Sequence, residues 1–135
     1  MKLLRIFSKP EYLLRPAQIV RRLVRSLSGH GAMEKVVLPW GLSIRVSPNE
    51  VIGASIWKSG LFELGVSECL WRLLDAGETA LDVGANIGYM TCLLARRAGV
   101  GGKVIALEPH PQIFTELDDN VAGWTSNPEV AEIRL

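Results

Sequence analysis

The chain is 135 residues long, with 48% hydrophobic content and a formal net charge of +1, enough length and apolar content for one real core. That balance gives no global reason to expect a nucleic-acid partner, and arginines break every apolar stretch near the N-terminus that could serve as a signal sequence or span a membrane. The two cysteines, Cys69 and Cys92, lack metal-ligand spacing and do not form a disulfide framework; both read as small buried thiols in a reducing, cytoplasmic setting.

The charge is unevenly spread. Residues 1–28 hold seven Lys and Arg against Glu11 alone, a net of +6, which leaves −5 on the remainder. Within this arm, Ile19, Val20, Leu23, Val24 and Leu27 recur at helical spacing between Arg21, Arg22 and Arg25, after a Pro16 suited to a first turn. Residues 16–28 are expected to rest as an amphipathic helix on an anionic membrane surface, to pack as a helix on their own domain, or to form a loosely ordered leader. Ser28-Gly29-His30-Gly31 reads as a linker, so residues 1–31 form a leader and 32–135 the body.

In the body, Val36–Leu38 and Leu42–Val46 flank Pro39-Trp40-Gly41, which predicts a β-hairpin whose second strand alternates apolar and polar. A helix is expected around Ser67–Asp75, with Leu70, Leu73 and Leu74 on one face and Gly77 past its end. From Thr79 the pattern becomes strand-helix-strand. Ala80-Leu81-Asp82-Val83 runs into a glycine-rich turn, a helix follows over Ile87–Ala98, and Val104–Leu107 forms a buried-type strand. A further helix opens after Pro111 and stops by Gly123, with Ile113, Phe114, Leu117 and Val121 as its inner stripe; Val130–Leu135 begins a third strand. The order β-α-β-α-β implies an α/β, Rossmann-like parallel sheet. Thr79–Val83 would be an edge with exposed apolar faces, so a covering partner chain or a missing C-terminal half of the sheet is expected.

The chemistry concentrates in the turn after the first parallel strand. A dinucleotide site wants Gly-x-Gly-x-x-Gly with a pyrophosphate on the helix N-terminus. Counted from Gly84, Asn86 and Tyr89 stand where its second and third glycines belong, which argues against a nicotinamide oxidoreductase. The pattern is instead Asp82-x-Gly84-x-Asn86-x-Gly88, followed 26 residues after Asp82 by Glu108 at the end of the next strand. The plain alternative for Glu108 is a solvated strand-end carboxylate; for His110, a solvated loop residue.

This pattern resembles the first motif of class I S-adenosylmethionine-dependent methyltransferases. Leu81 through Tyr89 with Glu108-Pro109 looks like the FkbM family, which favours Asn at the middle glycine position, and Gly60-Leu61-Phe62-Glu63 looks like that family's entry region. The resemblance runs from about Leu42 to Val121 and implies a cofactor site of Glu63, Asp82, Gly84, Ala85, Asn86, Gly88, Tyr89, Glu108, Pro109 and His110. Asp82 would hold the methionine ammonium or fix the loop, Glu108 would accept both ribose hydroxyls, and Pro109 and His110 would lie against the adenine. The implied reaction is methyl transfer to an oxygen of a small molecule, commonly a sugar or natural product, by direct displacement and without a metal. Glu63 and His110 are the two side chains that could face the cofactor as a base, and both read better as binding residues, so no catalytic residue is assigned.

Other residues read blandly. The four tryptophans are packing residues, and Glu116, Asp118 and Asp119 a solvated helix face. The competing reading is a non-catalytic fragment or a module that needs a partner chain.

Overall fold

The computed structural model describes residues 33–135, which form one compact unit. The expected helix at 16–28, the basic arm and the linker at 28–31 lie outside the described residues.

Strands β1 (Glu34–Val37) and β2 (Ser43–Val46) form the expected antiparallel hairpin, in register from Glu34 opposite Val46 to Val37 opposite Ser43. The turn closes through Leu38 N–H to the Leu42 carbonyl at 2.8 Å and Gly41 N–H to the Leu38 carbonyl at 3.0 Å. Alternation along β2 puts Ile44 and Val46 fully in the core and leaves Arg45 exposed.

Helix α1 (Val51–Ser59) has no counterpart in the sequence reading. It ends where Gly60 turns left-handed and returns its N–H to the Ile56 carbonyl at 2.6 Å. Helix α2 (Leu64–Leu73) starts earlier than expected and ends before Leu74. Leu70 and Leu74 pack against the core, whereas Leu73, the last helical residue, is 78% exposed; Leu74 already has extended backbone (φ −86, ψ 127), so the two do not share a helical face.

Strand β3 (Thr79–Val83), helix α3 (Tyr89–Ala98), strand β4 (Lys103–Leu107), helix α4 (Pro111–Ala122) and strand β5 (Glu132–Arg134) complete the body. The sheet is parallel with order β3-β4-β5; Asp82 pairs with Ala106 and Val83 with Leu107, which brings the carboxyl ends of β3 and β4 side by side. This is the α/β, Rossmann-like arrangement expected from the sequence. Val104 and Ala106 face the helices and are fully buried, Val104 among Leu93, Leu94 and Ala98 of α3, Ala106 among Leu117, Val121 and Trp124. On the opposite face no described residue covers the sheet: Leu81 is 60%, Val83 73% and Leu107 47% exposed.

Among the bland readings, Trp124 is a core residue at 1% exposure and Cys92 is fully buried, its thiol pushed up to about 12 by burial. Cys69 departs from expectation: it sits on the outer side of α2 and is exposed. No described helix is long and apolar enough to cross a membrane.

Candidate functional site

Beyond Val83 the chain turns sharply, because Gly84 and Ala85 both donate their N–H groups to the Leu107 carbonyl, at 2.8 and 3.0 Å. The end of β3 is thereby pinned to the end of β4. The turn needs left-handed backbone at three of five positions: Gly84 (φ +81), Asn86 (φ +51) and Gly88 (φ +92). Asparagine is among the residues that tolerate this region best, which explains why it can stand where a third glycine would serve. Its side chain also contributes, since Asn86 Oδ1 accepts the Ile87 N–H at 2.9 Å.

The glycines at the two ends of the turn serve different neighbours. A Cβ on Gly88 would lie 2.8 Å from Leu117 Cδ1 and 3.0 Å from the Trp124 ring, so its bareness admits helix α4. A Cβ on Gly84 would meet nothing within 4 Å. Gly84 instead borders an open cavity of about 540 Å³ at the carboxyl ends of β3 and β4, lined also by Val83, Ala106, Leu107, Glu108, Pro109, Phe114 and Leu135. That location is where open α/β sheets receive their ligands, and the volume lies within the usual range for small-molecule sites.

Glu108 is held from both sides. Its Oε2 accepts the Asn86 N–H and its Oε1 the His110 N–H, each at 2.9 Å. Two backbone donors fix the plane of the carboxylate and leave each oxygen with further acceptor capacity. Asp82 sits on the covered face of β3, where its Oδ2 accepts the Thr91 hydroxyl of α3 at 2.5 Å. Burial raises the pKa of this carboxyl, and the bonds from Thr91 pull in the opposite direction.

Gly84, Glu108 and Pro109, named from the sequence, thus meet at one cavity, with Asn86 bonded to Glu108 at its margin. Ala85 is buried beneath the turn, and His110 is exposed beside Glu108. Tyr89 lies in the core, edge-on to Trp40 at 5.4 Å and Phe62 at 6.1 Å; its hydroxyl is buried without a hydrogen-bond partner among the described residues. Glu63 stands exposed between α1 and α2 in a left-handed conformation (φ +46) and does not line the cavity. A second cavity of about 270 Å³, under the hairpin turn and against α2, is lined by Trp40 but by none of the site residues expected from the sequence.

Sequence reasoning missed three participants. Phe114, assigned to the inner stripe of α4, is 37% exposed and borders the cavity. Thr91 is marked only by its bond to Asp82, and Asn120 by its burial at 3% exposure. A polar residue between Leu117 and Val121 on an otherwise apolar stripe was the available signal for Asn120. Glu116, assigned to a solvated face, has one carboxylate oxygen buried without a partner among the described residues; burial raises its pKa, with Glu50 and Asp119 adding to the shift.

Residues 48–131, more than half of the chain, match the family described as protein-L-isoaspartate(D-aspartate) O-methyltransferase. No curated protein matches the chain.

Proposed function

The chain belongs to the protein-L-isoaspartate(D-aspartate) O-methyltransferase family, a class I methyltransferase family, and from that premise we propose that it binds S-adenosylmethionine in the cavity beside Gly84 and transfers its methyl group to an acceptor oxygen. The observation that carries this reading is the pairing of Glu108 with Asn86. It fixes a carboxylate on the rim of a cavity whose floor is left open by a glycine. The residues present suit the cofactor: the space over Gly84 is free for the methionine portion, Glu108 can accept ribose hydroxyls, and Pro109 and Phe114 offer apolar surface to the base.

The bound cofactor supplies an electrophilic methyl on a sulfonium. The protein's part is to hold and orient. Glu108 fixes the ribose through charge-assisted hydrogen bonds, and the Gly84–Gly88 turn gives close backbone approach. Asp82 steadies that turn from below through Thr91 on the first turn of α3. Asp82 is also a carboxylate near the place where an ammonium group would lie, and burial raises its pKa.

The acceptor has two readings. The Asn-containing motif supports an FkbM-like enzyme acting on a hydroxyl of a sugar or other small molecule. The family match supports an isoaspartyl or D-aspartyl carboxylate, a nucleophile already ionised at neutral pH and in no need of a base. A cytoplasmic setting accords with the two free cysteines. The exposure of Leu81, Val83 and Leu107 among the described residues supports a working form in which a partner chain or a further part of the domain packs on that face.

Labelled methyl transfer from S-adenosylmethionine tests the proposal, with a panel of sugars and hydroxylated small molecules beside an isoaspartyl peptide. Base-labile product on the peptide alone selects the carboxylate. Base-stable ether on a small molecule selects the hydroxyl. No S-adenosylhomocysteine binding at all would overturn the cofactor reading itself.

A further inference from the structure

The hairpin β1–β2 precedes the family-matched segment, yet it is bonded to the cofactor turn through one side chain. Asn120, on the third turn of α4 and 3% exposed, uses its carboxamide three times. Oδ1 accepts the Arg45 N–H at 2.8 Å, and Nδ2 donates to the Arg45 carbonyl at 3.1 Å and to the Ile87 carbonyl at 2.9 Å. To the hairpin it behaves as a neighbouring strand would, satisfying both backbone groups of one residue. To the turn it is the anchor of one peptide plane.

That plane matters because a peptide unit is rigid. The Ile87 carbonyl and the Gly88 N–H belong to the same unit and point in opposite directions. Asn120 holds the first, and the Ala85 carbonyl accepts the second at 2.9 Å. The unit therefore cannot rotate without breaking a bond at each end. It begins at Ile87, one residue past Asn86; the left-handed backbone of Asn86 has a conformational cost, and the Asn86 N–H, two peptide units earlier in the same turn, meets Glu108. Without the Ile87 anchor, the turn is free to relax and carry the Asn86 N–H away from the Glu108 carboxylate. Trp124 closes the same joint from the other side: its indole N–H donates to the Ser43 carbonyl at 2.6 Å while its ring packs where a Gly88 side chain would be.

We propose that Asn120 is a positioning residue of the cofactor turn, and that through it the hairpin sets the geometry in which Asn86 and Glu108 meet the cofactor. This rests on the cofactor reading above, and its test separates the two. Asn120→Ala removes all three bonds. Asn120→Asp keeps the shape and an acceptor for Arg45 but no donor for Ile87, and serves if the alanine variant does not fold. Val104→Ala, in the buried middle of β4 and away from the turn, is the control for lost stability.

Two readouts are taken below each variant's melting temperature. In ligand-free protein, amide hydrogen exchange at Gly88 should rise at least tenfold more in the Asn120 variants than at β4 amides. With S-adenosylhomocysteine as the probe, the Asn120 variants should bind at least tenfold more weakly, while Val104→Ala stays within twofold of the parent. Unchanged Gly88 exchange together with an affinity within twofold of the parent would overturn the positioning role. Faster Gly88 exchange in a protein whose parent form does not bind the probe would uphold the joint and overturn the cofactor reading.

Discussion

Glu108 Oε2 accepts the Asn86 N–H at 2.9 Å, so the carboxylate that ends one parallel strand and the turn that ends its neighbour form a single unit. The same carboxylate steadies its own loop through the His110 N–H. A residue assigned to ligand binding is therefore also part of the scaffold, and its replacement should be felt twice. Glu108→Ala is expected to weaken S-adenosylhomocysteine binding by more than tenfold, a loss of at least about 1.4 kcal/mol. It should also lower the melting temperature of the ligand-free protein. Glu108→Gln keeps one acceptor and should fall between the two. Calorimetric titration beside a thermal melt reads both effects; unchanged affinity for the alanine variant would remove the ribose assignment.

Gly84 is the position where turn geometry and ligand space coincide. A side chain there must adopt a left-handed backbone, at roughly 1–2 kcal/mol, and would project into the open cavity. Gly84→Ala should thus fold with a melting temperature lowered by several degrees and bind S-adenosylhomocysteine weakly if at all. Full affinity in this variant would place the ligand elsewhere.

Asp82 predicts a pH signature. Its pKa is raised in the fold, chiefly by burial, so the folded state favours the protonated carboxyl. That contribution to stability is present at low pH and is lost as pH rises through the folded value. Asp82→Asn, which can still accept the Thr91 hydroxyl, should melt higher than the parent at neutral pH. Its advantage should shrink as the pH falls toward the ordinary carboxylate range near about 4. Melts across that range check the trend, and an advantage for the parent that grows with pH would contradict it.

The Tyr89 hydroxyl is buried without a partner among the described residues, while its ring is held by Trp40 and Phe62. An unsatisfied buried donor costs about 1–3 kcal/mol. Tyr89→Phe keeps the ring contacts and is expected to stabilise the ligand-free protein, seen as a higher melting temperature. A lower one would show that the hydroxyl has a use that the packing does not reveal.

Much of this architecture was legible in the sequence where local pattern and global packing agree. The run from Ala80 to Val83, the stop at Gly99 and the opening of α4 at Pro111 each carry their own signal, and the structure places β3, α3 and α4 there. Helix α1 was not legible. Gly53 and three β-branched residues argue locally against a helix, and what overrides them is tertiary, with Ile56 fully buried under the hairpin. In the candidate site, Gly84 and Asn86 could be named from the turn's spacing and Glu108 from its place at the end of the strand Val104–Leu107. Thr91 carries no such signal and Asn120 shows only as a polar break in the apolar stripe of α4, since their partners, Asp82, Arg45 and Ile87, are distant in sequence or on other elements. Tyr89 and Gly88 carry motif letters, yet their surroundings are those of packing residues. A motif records which residue types recur in a turn without saying which side of it each one faces.

The most direct test is a thermal melt of the 135-residue chain with and without S-adenosylhomocysteine, with NAD as the control. Ligand that binds only the folded state at about 100 times its dissociation constant stabilises it by roughly 2.7 kcal/mol, an easily read shift. The account predicts a cooperative transition raised by S-adenosylhomocysteine and unmoved by NAD. A cooperative transition indifferent to S-adenosylhomocysteine, or raised by NAD instead, would contradict it.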